Sequence, residues 1–115
     1  MLVLHFEQLI LHFCFMIIYH VVLPEIWEKY KEEYEYEAES LQTEGFIHCS
    51  YRNQLEDVLE RYYKNAPNVL ILHINPHLLT SKLIAEPSTG GEIYPHIYGK
   101  INRQAIVDVE KRILR

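Results

Sequence analysis

Glycine, proline and cysteine are scarce in this sequence, at four, five and two of 115 residues. With so little glycine and proline there is no linker and no low-complexity stretch to divide the chain, and no internal repeat is visible. One domain is the expectation at this length. Cys14 and Cys49 are too few for a disulfide framework, and no C-x-x-C occurs. Free thiols in a reducing compartment, the cytoplasm, are therefore expected. No G-x-G-x-x-G and no Walker sequence is present, which argues against Rossmann and P-loop nucleotide sites. Positive charge is also short, with 11 basic residues against 16 acidic ones. Residues 25–44 hold eight glutamates against two lysines. That stretch repels a phosphate polymer, so broad nucleic-acid binding is not expected.

What is present is a globular composition, 49% hydrophobic and 12% aromatic, with nine tyrosines. Residues 1–23 form a long apolar run interrupted by His5, Glu7, Gln8, His12 and His20. Each ionisable group at mid-bilayer costs ~2.5–3.5 kcal/mol, so no stable membrane span is expected. A basic leader and a small-residue cleavage site are both missing. The run MIIYHVVL makes a natural first strand. The expected organisation is an apolar N-terminal extension over 1–15 and a single α+β domain over 16–115.

Residues 17–23 read as a buried strand. Pro24 and Glu25 open a helix predicted over 24–34, with Trp27, Tyr30 and Tyr34 on its packed face. Residues 34–40 read as loop or short strand, and FIHCS after Gly45 as a strand. Asn53 is the expected cap of a second helix over 53–64. VLILHI (69–74), LIAE (83–86), IYPHIYG (93–99) and AIVDVEKRI (105–113) are strands, and PSTGGE (87–92) is a loop. Helices come early and strands late, an α+β order.

Three of the seven histidines lie inside apolar strands: His20, His48 and His96. An imidazole there must find a hydrogen-bond partner or face a cleft. Strand alternation puts Phe46, His48 and Ser50 on one face and Ile47 and Cys49 on the other, which argues against a Cys–His nucleophile pair. Tyr94, His96 and Tyr98 likewise share a face. Glu86 ends a short strand just before the loop. His20, His48, Ser50, Glu86, His96 and Tyr98 together would offer hydrogen bonding, cation stabilisation and general-base capacity. The same histidines and Glu86 are also metal-ligand types, but no pair has a recognised ligand spacing. No metal is assigned.

The ordered strings YHVV–PEIWEKY, ESLQTEGFIHCSYRNQ, VLILHI and AEPSTGGEIYPHIYGKI closely resemble the domain of unknown function 952 family, from residue 17 to about 110. That family is grouped with the ADP-ribosyltransferase-like fold. The resemblance implies two small, roughly perpendicular, mostly antiparallel sheets forming a cleft, with two helices. It implies NAD or a related small nucleotide as ligand. His20, His48, Ser50 and Tyr98 would bind it, and Glu86 and His96 would be catalytic. The chain departs from the best-known transferases in having no Arg beside His20 and no clear Glu-x-Glu. Two alternatives stand beside an ADP-ribosyl-transferring enzyme: a non-catalytic nucleotide- or partner-binding module, and a metal-dependent hydrolase.

Overall fold

The computed structural model describes residues 17–115. The N-terminal extension expected over 1–15 lies outside the described residues. Strand β1 (Ile18–Val22) runs into helix α1 (Pro24–Trp27), strand β2 (Glu35–Tyr36), helix α2 (Glu39–Thr43) and strand β3 (Ile47–His48). A 3-10 turn (Arg52–Gln54) leads into helix α3 (Leu55–Tyr62) and strand β4 (Asn68–Ile74). A second 3-10 turn (Pro76–Leu78) precedes β5 (Lys82–Pro87), β6 (Ile93–Tyr98) and β7 (Ile101–Asn102). A third (Arg103–Ala105) precedes β8 (Ile106–Ile113).

The resemblance implies two sheets, and the described residues form three, all antiparallel: β1–β4–β8, β2–β7 and β3–β6–β5. The β1 and β3 segments touch once, where Tyr19 and Ser50 exchange backbone hydrogen bonds of 2.9 and 2.8 Å. Two apolar clusters follow from strand alternation. Ile18 and Val22 of β1, Leu72 and Ile74 of β4, Ile47 of β3 and Ile97 of β6 join Trp27, Tyr36 and Cys49 in the larger one. The space between the two three-stranded sheets is thus filled by side chains. Tyr19 and Val21, on the alternate positions of β1, pack with Leu55 and Leu59 of α3 in the smaller cluster.

The helices are shorter than predicted, and there are three of them among the described residues. After Trp27 the backbone passes into turns that mix i→i+3 bonds, Tyr30 N–H to Trp27 O (2.9 Å) and Glu33 N–H to Tyr30 O (2.8 Å), with one i→i+4 bond, Lys31 N–H to Trp27 O (2.9 Å). Tyr34, predicted on the packed face, is 65% exposed. The predicted cap Asn53 instead lies inside a 3-10 turn, where the buried Gln54 does the anchoring. Gln54 Oε1 accepts from Tyr51 N–H (3.0 Å), and its Nε2 donates to Glu92 Oε2 (2.9 Å) and Ile93 O (2.7 Å). The start of α3 is thereby tied to the loop that enters β6. None of the helices among the described residues is long and apolar enough to cross a membrane.

Gly99, between β6 and β7, has φ +151°, and a Cβ there would stand 2.9 Å from Ser81 Cβ, too close for any side chain. Asn102, fully buried, locks the preceding connection: Oδ1 accepts from Thr80 N–H (3.0 Å), and Nδ2 donates to Leu78 O (2.9 Å). Removing that amide strands a backbone donor and an acceptor, each worth ~1–3 kcal/mol when buried unpaired. Asn102→Ala is expected to lose about 2–4 kcal/mol of unfolding free energy in urea titrations. An unchanged midpoint would remove the assigned role.

Candidate functional site

The β3–β6–β5 sheet has one face against the core and one face outward. Ile47 pairs with Ile97, both fully buried, and the next step in register pairs His48 with His96 on the opposite face. β5 extends the row, with Ile84 opposite His96, Glu86 opposite Tyr94 and Lys82 opposite Tyr98. Since cross-strand partners project to the same side, the outward face carries His48, Tyr94, His96, Tyr98, Lys82, Ile84 and Glu86. His96 has neighbours on both strands, and for that reason is only 3% exposed despite facing away from the core.

Glu86 organises this face. Its Oε1 accepts from His96 Nδ1 at 2.8 Å and also from the Tyr98 hydroxyl. The Tyr98 hydrogen bond first, and the His96 hydrogen bond second, hold the Glu86 carboxyl below the usual carboxylate range. Glu86 is therefore an anion at neutral pH and not a proton donor. Both bonds fall on Oε1, which leaves Oε2 with acceptor capacity. The same bond pushes the Tyr98 hydroxyl up.

Phe46 lies flat on the His96 ring, with centroids 4.1 Å apart and planes at 21°. It also touches His48 edge-on at 4.8 Å and Tyr98 at 5.5 Å. His48 is exposed, donates from Nε2 to Glu44 Oε2 at 3.1 Å, and meets His96 ring-to-ring at 5.5 Å. Of the sequence-predicted residues, His48, Glu86, His96 and Tyr98 are thus brought together. Ser50 follows β3 but is buried at the bridge to Tyr19.

His20 is not on this face. It shares the side of β1 occupied by Ile18 and Val22, inside the larger core. Its Nδ1 donates to the His48 carbonyl at 2.7 Å, and its Nε2 accepts from the Tyr36 hydroxyl at 2.8 Å. The carbonyl can only accept, so this tautomer is forced. Desolvation lowers the His20 pKa from 6.5 to about 4. His20 is a neutral strut beneath the backbone that carries His48. Cys49, as alternation predicts, is buried on the core side, where burial pushes its thiol pKa up.

Phe46, Glu44 and Tyr94 were not among the predicted site residues. Phe46 was detectable by its two-residue spacing from His48. Glu44 carries no such signal, because its contact with His48 depends on the turn at Gly45, where φ is +90°. Among the described residues no three His, Cys, Asp or Glu side chains converge as a metal cage.

The depressed His20 pKa links stability to pH. The unfolded chain binds a proton near pH 6.5 and the folded one only near pH 4. Stabilisation is therefore complete above 6.5 and is lost as pH falls toward 4, about 3 kcal/mol in all. Denaturant titrations from pH 7 down should show that loss, and His20→Gln should flatten the profile between pH 6.5 and 4.5. An equally steep profile in the variant would assign the loss to other groups.

Comparisons with known proteins fit this architecture. No curated protein matches the chain. Two crystal structures of protein CC0527 from Caulobacter crescentus match, one of the protein itself and one of a double mutant. The first has a TM-score of 0.74 at 23% identity, covering 83% of this chain and 84% of that one. The double mutant has a TM-score of 0.74 at 22% identity with the same coverage. The solution structure of CC0527 gives 0.71 at 23% identity, covering 82% of each chain. At such identity the likeness is one of fold. A family model, protein of unknown function DUF952, matches residues 21–109, which include the end of β1, the His48 and His96 strands and Glu86. The chain belongs to the DUF952 family.

Proposed function

We propose that the outward face of the β3–β6–β5 sheet binds NAD or a related small nucleotide, and that the protein is an ADP-ribosyltransferase-like enzyme transferring an ADP-ribosyl or related group in the cytoplasm. The observation that carries this reading is the ionised Glu86, fixed by His96 and Tyr98 on a face lined with aromatic rings. Breaking the bond between nicotinamide and ribose builds positive charge on the ribose. A positioned carboxylate in a partly dry site stabilises charge of that sign. Glu86 Oε2 retains the capacity to accept from a ribose hydroxyl. His96 and Glu86 act as the catalytic pair. Phe46, His48 and Tyr98 hold the ligand, with Ser50 and His20 shaping the strand behind them. Lys82 is the basic residue that the register puts on the same face as Tyr98, and it is assigned to the phosphates. Lys100 is less suited, since it already lies 3.8 Å from Glu37.

A second reading, a binding module without catalysis, is favoured by one feature: Oε1 of Glu86 is already occupied by two protein donors, as in a structural carboxylate. The metal-dependent hydrolase loses its motivation with the lack of a converging ligand set among the described residues.

Calorimetric titration with NAD, paired with mass-spectrometric assay for free nicotinamide, separates these readings. The enzyme reading expects binding by the native protein and by Glu86→Gln, with nicotinamide release at least ~100-fold slower in the variant. Binding without release supports the module, and no binding of NAD or ADP-ribose overturns both.

A further inference from the structure

Strand β8 ends the β1–β4–β8 sheet, and among the described residues no strand pairs with its other side. In an antiparallel ladder every second residue turns its N–H and C=O toward the neighbour, and the residues between turn theirs away. Val109 N–H donates to Asp108 Oδ1 (2.9 Å) and not into the sheet. Val109 and, two residues on, Lys111 therefore present their backbone groups to the free edge. The same strand carries exposed apolar side chains: Val107 is 50%, Val109 37% and Ile113 72% exposed.

Charges on an edge strand ordinarily deter pairing. Here their order makes the strand complementary to itself. About a two-fold axis at Glu110, a second antiparallel β8 sets Asp108 against Arg112 and Arg112 against Asp108, two opposite-charge pairs on the face that carries His73. On the other face Val107 meets Ile113, and Val109 meets the stem of Lys111, each twice over. The like charges at the axis are turned aside, because each Glu110 carboxylate is drawn back toward β4 by His73 (2.8 Å) and bonded to Arg112 (2.9 Å). An axis one residue on would put two Lys111 side chains face to face and leave Asp108 opposite Leu114.

We propose that the protein pairs with a second copy of itself along β8, in the register centred on Glu110, to give the six-stranded sheet β1–β4–β8–β8–β4–β1. Each Val109 N–H passes from Asp108 to the Lys111 carbonyl of the second copy, which frees the Asp108 carboxylate for Arg112. The assembly closes at two chains, since the far edge, β1, is already engaged by Ser50 at Tyr19. The candidate ligand face belongs to the β3–β6–β5 sheet and takes no part.

A single strand-edge contact is small for an interface, so association is expected at roughly 10–100 μM protein. Sedimentation of the full chain from about 5 μM to about 1 mM should show monomer passing to dimer. A monomer throughout, or assemblies larger than two, overturns the proposal. Asp108→Arg sets like charges against both copies of Arg112 and should weaken the dimer at least about tenfold. Unchanged association of that variant overturns the register and the proposal with it. Val109→Pro removes an N–H that β4 does not use and should abolish the dimer. If Val109→Pro loses the native circular dichroism, Val109→Lys makes the same comparison by setting lysine against Lys111. Hydrogen exchange read amide by amide completes the test. Val109 and Lys111 should exchange at least about threefold more slowly at the highest concentration than at the lowest, with Glu110 and Arg112, whose N–H groups turn toward β4, unchanged. Slow exchange of Val109 and Lys111 at every concentration would mean that another segment of the same chain covers the edge, and overturns the proposal.

Discussion

The antiparallel register of β3 on β6 is the constraint from which the rest of the site follows. One step of the ladder sets Ile47 against Ile97 and seals the core, and the next sets His48 against His96 on the outside. A slip of one residue would set Ile47 against His96 and His48 against Ile97, leaving one imidazole in the core and one isoleucine on the outside. The apolar core therefore enforces the polar face: Ile47, Ile97 and Cys49 hold the register by burial, and the histidines are placed by default. β5 is then added in the register that brings Glu86 diagonally to His96.

Electrostatics refine what packing positions. Two donors converge on Glu86 and hold its carboxyl below the usual carboxylate range, so it stands as a fixed acceptor for His96 Nδ1. Beneath the sheet, His20 solves the reverse problem. Burial keeps it neutral, and a neutral imidazole is the one form that both donates to the His48 carbonyl and accepts from Tyr36. On the far side of the β1–β4–β8 sheet, Arg112 joins Glu110 and Glu56 at 2.9 Å each and so ties α3 to β8. Those last pairs are partly or largely exposed and add little stability singly.

Strand faces were legible in the sequence because a period of two needs no knowledge of the partner strand. Phe46/His48 against Ile47/Cys49, and Tyr94/His96/Tyr98 against Ile97, follow from alternation alone. Depth was not legible. Alternation gives His20 a face but not the sheet that covers it, and the answer lies with Tyr36 and Leu72 from distant parts of the chain. Helix α2 was missed because five residues, Glu39–Thr43, are too few to show a periodic pattern, and Ala38 before it offers no side-chain cap. The amide of Asn102 reaches back to Leu78 and Thr80, a contact across more than twenty residues that no local rule anticipates.

The strand histidines of this small domain show how selectively the chain leaves a polar atom alone. His20 has both nitrogens bonded. His73 bonds Glu110 at 2.8 Å and sets its ring edge-on to Tyr19 at 5.0 Å. His96 is as buried as His20, yet only its Nδ1 is bonded. An unpaired buried acceptor costs roughly 1–3 kcal/mol, a large share of the stability of a domain this size. A fold that satisfies one buried imidazole twice has the means to satisfy another. His96 lies instead beside an ionised carboxylate, beneath a half-buried ring and within reach of an exposed second imidazole. The missing partner thus falls on the face where Glu86, Tyr98, His48 and Phe46 meet around His96, and the proposed ligand site is argued from that coincidence.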